Sequence, residues 1–194
     1  MTRRASLHRK TLETEVAIDI DLDGSGVASV ETGIGMLDHL LTSFAHHGLF
    51  DLDVATSGDL HVDDHHTVED TLLVLGAAIG EALADRSGIH RFGDATVPMD
   101  EALARVAVDA GGRPHAEIRL SFAGERIGTL TAQNVPHGLE AMARSGGLTI
   151  HLEASGTNDH HVAEAAFKAL ARAIRAAVEI DPRRTGLPST KGTT

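Results

Sequence analysis

The feature that most constrains the fold of this chain is a histidine-rich motif that occurs twice. Residues 64–69 read Asp-His-His-Thr-Val-Glu, and residues 159–164 read Asp-His-His-Val-Ala-Glu, 95 positions later. After each copy, apolar residues recur every three or four positions. They are Leu72, Leu75, Ile79 and Leu83 in the first copy and Phe167, Leu170, Ile174 and Val178 in the second. This spacing predicts a long helix with one buried face at each motif.

The duplication extends upstream of both motifs. Phe50–Gly58 aligns with Leu148–Gly156, 98 positions later, and each segment alternates apolar and polar residues before a Ser-Gly turn. At the same offset His39 aligns with His137, and each residue opens a short helical pattern. Alternation predicts strands, and several matches in one order favour a repeat over chance.

The two copies predict the organisation of the chain. Val16–Asp19 also resembles Val106–Asp109, so each half reads as strands, a short helix, a strand and a long helix. We expect an α+β fold made by internal duplication of a two-layer unit of one sheet and two helices, with βββαβα-like halves. The expected halves are 5–92 and 93–180, packed as one functional domain, and 181–194 is a polar, basic tail that would close over a bound substrate.

Composition narrows the possible function classes. The chain has 13 histidines but no cysteine, tryptophan or tyrosine, and its formal net charge is −11. The lack of cysteine excludes thiolate metal sites and is typical of a cytoplasmic protein, while the acidic balance argues against nucleic acid as a partner. The longest apolar run, Leu72–Ile79, is too short to cross a bilayer, so no membrane partner is expected. Dispersed histidines in such excess favour metal ligation or proton transfer.

The spacing within His-His-x-x-Glu is suited to metal binding on a helix. The two histidines precede the glutamate by four and three residues, which places each imidazole on the same helical face as the carboxylate. Adjacent histidines lie about 100° apart around a helix, which favours two different ions for each pair. Counting His39 and His137, six imidazoles and two carboxylates give two ions four ligands each. This donor set suits Mn, Fe, Zn or Ni and leaves positions open for substrate. The candidate ligands are His39, His65, His66, Glu69, His137, His160, His161 and Glu164.

A weaker pattern indicates an anion site. Several cationic side chains and a hydroxyl are spread through this acidic chain, and one of the cations follows the second motif by a single helical turn. They are Arg91, Arg113, Lys168, Ser189 and Lys191. Taken singly, each is more often a solvated surface group. The residues themselves therefore predict a metal-dependent enzyme and leave its reaction open.

Longer motifs resemble the imidazoleglycerol-phosphate dehydratases over nearly the whole chain. They are Gly33–His39, Gly58–Asp70, Arg91–Gly93, Pro98–Glu101, Gly112–His115, Asn158–His161 and Ser189–Gly192. The resemblance implies a hydro-lyase of L-histidine biosynthesis that dehydrates D-erythro-1-(imidazol-4-yl)glycerol 3-phosphate to 3-(imidazol-4-yl)-2-oxopropyl phosphate. It also implies two Mn²⁺ ions per active site, the substrate imidazole as electron sink, and self-association into a 24-subunit shell with sites at subunit interfaces.

The resemblance also implies roles for individual residues. The eight candidate ligands match the family's metal ligands, and the cations with Ser189 would hold the phosphate. Proton transfer is assigned to Glu13, with Glu164 as the second candidate. Ser43 departs from the family, since many relatives have Gln there, and this leaves one substrate contact open. The implied substrate contacts are Glu13, His39, His47, His65, His66, Glu69, Arg91, Arg113, His160, His161, Lys168, Ser189, Thr190 and Lys191.

Two other functions share these residues. A different two-metal enzyme, such as a phosphatase or an amidohydrolase, would use the same ligands and cations with a metal-bound hydroxide. A metal-dependent assembly protein would use the ions only to join subunits and would have no role for the cations. The sequence leaves open which of Mn, Fe, Zn and Co is native, and which histidine of each pair binds which ion. Glu13 has the alternative interpretation of an exposed carboxylate at a strand edge.

Overall fold

The structure, a computed structural model, describes residues 3–191 and consists of two halves with the same order of elements. The first half comprises β1 (Arg4–Lys10), β2 (Thr14–Asp21), β3 (Ala28–Glu31), α1 (Gly35–Gly48), β4 (Asp51–Gly58) and α2 (His65–Ala82). The second comprises β5 (Phe92–Met99), β6 (Ala102–Asp109), β7 (His115–Leu120), β8 (Arg126–Ile127), β9 (Leu130–Thr131), α3 (Asn134–Gly146), β10 (Thr149–Ser155) and α4 (Asp159–Val178). The predicted α+β fold with βββαβα-like halves is confirmed, and the short β8–β9 hairpin is an addition to the second half.

The two four-stranded sheets have the same topology. Their strand orders are β1-β2-β4-β3 and β5-β6-β10-β7. In each sheet the third strand of the half runs parallel to its neighbour, and the other pairs are antiparallel. Alternate residues of the central strands are buried, as Val16, Ile18 and Ile20 are in β2, because successive side chains of a strand point to opposite faces. One face of each sheet therefore packs on helices.

The strand pairing corrects one detail of the sequence alignment. Val16 pairs with Thr56, and Ala104 pairs with Ala154. Thr56 and Ala154 occupy the same place in β4 and β10, so the counterpart of Val16 is Ala104, 88 positions later. The alignment of β2 with Val106–Asp109 is therefore wrong by two residues. Because strand side chains repeat every two residues, the shifted alignment keeps the apolar alternation, and the pattern alone did not reveal the error.

The helices pair across the two halves. Helix α2 packs on β1 and β2 of its own sheet, and α4 packs on β5 and β6. The remaining faces of these long helices contact the short helix of the opposite half, so that α1 packs on α4 and α3 packs on α2. The four helices thus form a layer between the sheets, and one hydrophobic core extends through both halves. No helix within residues 3–191 has the length and hydropathy needed to cross a membrane.

Glycines allow α2 and α3 to approach each other closely. A Cβ atom on Gly76 would lie 2.2 Å from the carbonyl oxygen of Met142, and one on Gly146 would lie 2.9 Å from the carbonyl oxygen of Gly76. A side chain at either position would force the backbones apart. The distance between these helices therefore depends on the absence of a single methyl group.

We expect Gly76→Ala to lower the free energy of unfolding by about 1–3 kcal/mol, because overpacking displaces a rigid helix pair. Urea unfolding of the metal-free protein measures this change. Gly35→Ala is the matched control, since a Cβ on Gly35 meets no atom within 4 Å. Equal stability of the two variants would contradict the close-approach argument.

Candidate metal centre

The first cluster of candidate ligands joins α1 to α4. His39 Nε2 lies 2.9 Å from Oε2 of Glu164, and His160 Nε2 lies 3.0 Å from the same oxygen. The three donor atoms lie within 4.8 Å of one another. Helix α4 begins just before His160 because the Asn158 side chain caps it, accepting a hydrogen bond from the His160 amide at 3.0 Å. We call this cluster, His39, His160 and Glu164, the α1–α4 triad.

The second cluster joins α3 to α2. His137 Nε2 lies 3.4 Å from Glu69 Oε1, and His65 Nε2 lies 3.7 Å from Glu69 Oε2. The Nδ1 atom of His65 lies 3.2 Å from Oδ1 of Asn134, which leaves Nε2 free for the cluster. The Nε2 atom of His137 is buried and has no hydrogen-bond partner within residues 3–191. We call this cluster, His65, Glu69 and His137, the α2–α3 triad.

The two triads are counterparts under the duplication. Each takes a histidine from the short helix of one half and the first histidine and the glutamate of the motif from the long helix of the other half. Neither half contains a triad by itself. Two imidazoles and a carboxylate are donors suited to Mn²⁺, Fe²⁺ or Zn²⁺. The unpaired buried nitrogen of His137 fits such an ion as well, since a buried polar atom otherwise lacks compensation. The residues present therefore fit metal binding.

The second histidine of each motif points away from the triads. His66 Nδ1 lies 3.0 Å from Asp59 Oδ2, and His161 Nδ1 lies 2.8 Å from Glu101 Oε2. Hydrogen bonding to these carboxylates raises the pKa of both histidines. A carboxylate on Nδ1 fixes the ring and strengthens Nε2 as a donor, as in many metal-binding histidines. Of the eight predicted ligands, the chain therefore brings six together and orients two outward.

Glu164 is an ionised carboxylate despite its position. Burial acts to raise its pKa, but hydrogen bonds from Lys168 and His39 lower the pKa to about 2. The Nζ atom of Lys168 lies 2.7 Å from Glu164 Oε1, one turn further along α4. Glu164 is thus suited to hold a cation at neutral pH. Lys168, which the sequence analysis assigned to an anion site, thus neutralises this buried charge within its own chain.

His47 lies two turns beyond His39 on α1. Burial, together with the charge of Lys168, lowers the pKa of His47, which keeps its imidazole neutral. Between them, Ser43 has a buried hydroxyl with no hydrogen-bond partner within residues 3–191. His39, Ser43 and His47 therefore follow one another at four-residue intervals along α1, the helix that packs on α4. His47 lies close enough to Lys168 for the lysine charge to lower its pKa.

Arg91 and the C-terminal tail form a separate group. Arg91 donates from Nε and Nη2 to the Asp109 carboxylate at 2.7 and 2.9 Å, and from Nη1 to the Pro188 carbonyl at 2.8 Å. Arg113 lies at the edge of this group, 4.0 Å from Asp109, with its side chain 72% exposed. In the tail, the Lys191 amide donates to Ser189 Oγ at 3.3 Å. Ser189, Thr190 and Lys191 come directly after Pro188, the residue that contacts Arg91. Residues 192–194 lie outside the described part of the chain.

Within one chain, Lys168 lies far from Arg91 and the residues grouped with it. Lys168 lies 3.9 Å from the sulfur of Met99 at the end of β5, whereas Arg91 directly precedes Phe92 at its start. Eight strand residues at ~3.3 Å each separate these ends by roughly 20 Å or more. One phosphate group cannot contact both side chains of the same chain.

Sequence reasoning missed the residues that orient the histidines. Asp59, Glu101 and Asn134 each contact a ring nitrogen of a motif histidine. Asp59 and Glu101 lie within the motifs that carry the family resemblance, but polar residues near a motif give no signal of which histidine they contact. Glu13, to which the sequence analysis assigned proton transfer, lies near the second histidine of the first motif. Its Oε2 atom is 3.9 Å from His66 Nε2.

Comparisons of the sequence with known proteins agree on one family. A model of the family described as imidazoleglycerol-phosphate dehydratase matches residues 32–174. An imidazoleglycerol-phosphate dehydratase of Methanothermobacter thermautotrophicus is 54% identical over 98% of this chain and 97% of that protein. The chloroplastic enzyme of Pisum sativum is 51% identical over 98% of this chain and 69% of that protein.

Two solved structures extend this likeness to three dimensions. The imidazoleglycerol-phosphate dehydratase of Staphylococcus aureus superimposes with a TM-score of 0.83 at 34% identity, over 92% of this chain and 99% of that one. The Pyrococcus furiosus protein, in complex with (S)-C348, gives a TM-score of 0.80 at 34% identity, over 97% of this chain and 100% of that one. Sequence and fold therefore point to the same family.

We expect the two triads to bind metal separately. His137→Ala should lower the Mn²⁺ bound per chain to about half, since the α1–α4 triad keeps all its donors, and His39→Ala should remove the other half. Elemental analysis after Mn²⁺ loading and gel filtration measures this. His151→Ala, an exposed histidine of β10, is the control. Full metal content in either triad variant would contradict the assignment.

Proposed function

Because the chain belongs to the imidazoleglycerol-phosphate dehydratase family, we propose that it dehydrates D-erythro-1-(imidazol-4-yl)glycerol 3-phosphate to 3-(imidazol-4-yl)-2-oxopropyl phosphate. The reaction removes one water and serves L-histidine biosynthesis. The observation that carries this proposal is the pair of triads, each assembled from both halves of the duplicated fold. An azole substrate offers the ring nitrogens that two such open sites can bind.

We propose two Mn²⁺ ions per active site, held through the triads and the outward histidines. When bound, the ions supply Lewis acidity to the substrate's imidazole, so that the ring serves as the electron sink. Neighbouring side chains keep the metal ligands in the charge state and orientation that binding requires. Lys168 keeps Glu164 ionised, and Asn134 holds the His65 ring through Nδ1.

His66 and His161 are proposed to complete the triads of neighbouring copies. Each triad supplies three protein donors, while the expected total of eight allows four for each ion. Both outward histidines are held by a carboxylate on Nδ1 and present Nε2 away from the triads of their own chain. Such an exchange of ligands supports assembly into a closed shell with active sites at subunit interfaces, which we propose to contain 24 subunits.

The positions of the phosphate-binding candidates support the same assembly. Lys168 and Arg91 lie at opposite ends of β5, so that a phosphate bound by both must lie between copies. We propose that Arg91, Arg113 and the tail hydroxyl of Ser189 hold the phosphate with Thr190 and Lys191, while Lys168 comes from a neighbour. Residues 181–194 then act as the segment that closes over the substrate, and the halves 5–92 and 93–180 act as one domain.

Glu13 is proposed to transfer the proton. Its carboxylate accepts no hydrogen bond within residues 3–191 and lies near the outward His66, whereas Glu164 is held by Lys168 and two histidines. Glu13 therefore keeps free lone pairs for the C–H proton of the carbon that becomes the ketone. The neighbouring hydroxyl, on the carbon attached to the ring, leaves as water once it has received the proton that Glu13 accepted, and the resulting enol tautomerises to the ketone.

The reaction is tested by incubating the protein with Mn²⁺ and imidazole-glycerol phosphate. We expect a ketone product, detected by mass spectrometry as a loss of one water, and no release of inorganic phosphate. Free phosphate without the ketone would instead identify a phosphatase that uses the same ligands. No chemical change together with metal-dependent assembly would identify a protein in which the ions only join subunits.

We expect His66→Ala and His161→Ala to reduce both bound Mn²⁺ and particle size, because each removes a donor that serves a neighbouring copy. Light scattering after size-exclusion chromatography, with and without Mn²⁺, measures the assembly. The control is again His151→Ala. A full-size particle with full metal content in either variant would contradict the exchange of ligands.

A further inference from the structure

Glu13 and Glu101 are counterparts in the two halves. Each lies two residues before the strand residue that pairs with Ser57 in the first half or with its counterpart Ser155 in the second. Both therefore occupy the same position in the turn of the first hairpin of their half. Each also lies near the second histidine of its motif. The two residues are therefore equivalent by position and can be compared directly.

The two carboxylates make different contacts. Glu101 Oε1 accepts hydrogen bonds from the amides of Thr157 and Asn158 at 3.0 and 2.8 Å, and Oε2 lies 2.8 Å from His161 Nδ1. Glu101 is thereby fixed in a structural role. The carboxylate of Glu13 accepts no hydrogen bond within the described part of the chain, and its side chain is 56% exposed.

In the first half, Asp59 rather than Glu13 orients the second histidine of the motif. Asp59 contacts Nδ1 of His66 at 3.0 Å, as Glu101 contacts Nδ1 of His161. The counterpart of Asp59, 98 positions later, is Thr157, which has no carboxylate. The first half therefore orients its histidine from a different position, and this leaves Glu13 without a structural partner.

The turn that carries Glu13 is nevertheless attached firmly to α2. Asp70, the residue after Glu69, accepts a hydrogen bond from Thr14 Oγ1 and pairs with Arg9 Nη1 at 2.5 Å. Thr14 Oγ1 lies 3.2 Å from Thr11 Oγ1, which in turn accepts the Glu13 amide at 3.1 Å. A chain of side-chain contacts thus connects the metal-bearing helix to the backbone of Glu13.

The second half forms the same hairpin without these contacts. By the strand register and the motif offset, the counterparts of Arg9, Thr14 and Asp70 are Val97, Ala102 and Ala165. None of these side chains can form a hydrogen bond. The hairpin can therefore fold without the polar residues Arg9, Thr14 and Asp70. Their occurrence in the half that contains Glu13 indicates a role other than folding of the hairpin.

We propose that Asp70, with Arg9 and Thr14, is a positioning residue that holds the Glu13 turn in place for proton transfer. This inference rests on the role proposed for Glu13. Asp70 contacts the turn from α2, the helix that bears His65 and Glu69, so one rigid helix sets the position of both the metal ligands and the acid–base group. A hydrogen-bonded support of this kind keeps a reacting group within the narrow geometric range that catalysis needs.

The test uses two variants of different design. Asp70→Asn removes the charge, and the combined variant Arg9→Val, Thr14→Ala, Asp70→Ala installs the apolar trio with which the second half already folds. Both should keep bound Mn²⁺ and particle size and lower kcat by ~10- to 100-fold, with a smaller change in KM. Hydrogen–deuterium exchange of residues 11–14 should become faster. Asp53→Asn, on the exposed face of β4, is the control and should change none of these.

A double-variant comparison separates positioning from general stability. In the Glu13→Gln background, Asp70→Asn should cause no further loss of the residual turnover, because groups that act as one unit are not additive. A further loss there would show that Asp70 acts elsewhere and would overturn the inference. Loss of folding or of metal in both designs would show a structural role and would also overturn it.

Two other outcomes distinguish this inference from the proposed function. Full kcat in the combined variant, beside an inactive Glu13→Gln protein, overturns the positioning role of Asp70 alone. Near-normal turnover of Glu13→Gln overturns the proton-transfer role of Glu13, and the positioning role fails with it.

Discussion

The packing of each long helix against the short helix of the opposite half is the interaction on which the rest of the structure depends. Helix α4 packs on α1 and α2 packs on α3, and each contact brings a histidine of one half to the histidine and glutamate of the other. Both helix pairs lie between sheets that bury their outer faces. The apolar core therefore fixes the distance between donors, which metal binding requires to within a few tenths of an ångström. A single half would keep the His–Glu pair of its long helix but would lack the histidine that completes the triad.

The electrostatics of the site follow from this packing. Two glutamates are placed among imidazoles in a chain whose formal charge is already −11. Lys168 neutralises one of them from within the same helix, and Arg144 lies 3.8 Å from Glu69. Lys168 and His39 hold the pKa of Glu164 low, so that this carboxylate remains ionised. Nδ1 of His65, His66 and His161 already has an oxygen partner, which leaves Nε2 of each ring available for an ion. Such partners decide which ring nitrogen is available for an ion.

Duplication explains both the symmetry of the ligands and the asymmetry around them. The backbone register is repeated closely enough to identify counterparts by their strand partners. On that common frame, the Glu101 carboxylate takes part in four hydrogen bonds, whereas the Glu13 carboxylate accepts none within residues 3–191. Side chains at equivalent positions have thus diverged around two triads of the same composition, so that one scaffold carries a matched pair of candidate metal sites and two carboxylates with different contacts.

Much of the fold could be predicted from the sequence, because the signals were local. The repeated motif, the apolar spacing behind it and the alternating strands depend on residues close in the chain, and they determined the α+β class, the duplication and the helices that carry Glu69 and Glu164. The two-residue error in aligning β2 arose because alternation repeats every two residues and cannot distinguish registers of the same face.

What only the tertiary structure decided is which residues meet across long separations in sequence. The sequence predicted eight donors, but the pairing of helices from opposite halves decided that His39 joins Glu164 and that His137 joins Glu69. It also decided that Arg91 and Lys168 lie apart, and that Asp70 supports the Glu13 turn. Residue spacing specifies the face of a helix on which a side chain lies. The partner of that face is chosen by the packing of the whole core, which no local pattern encodes.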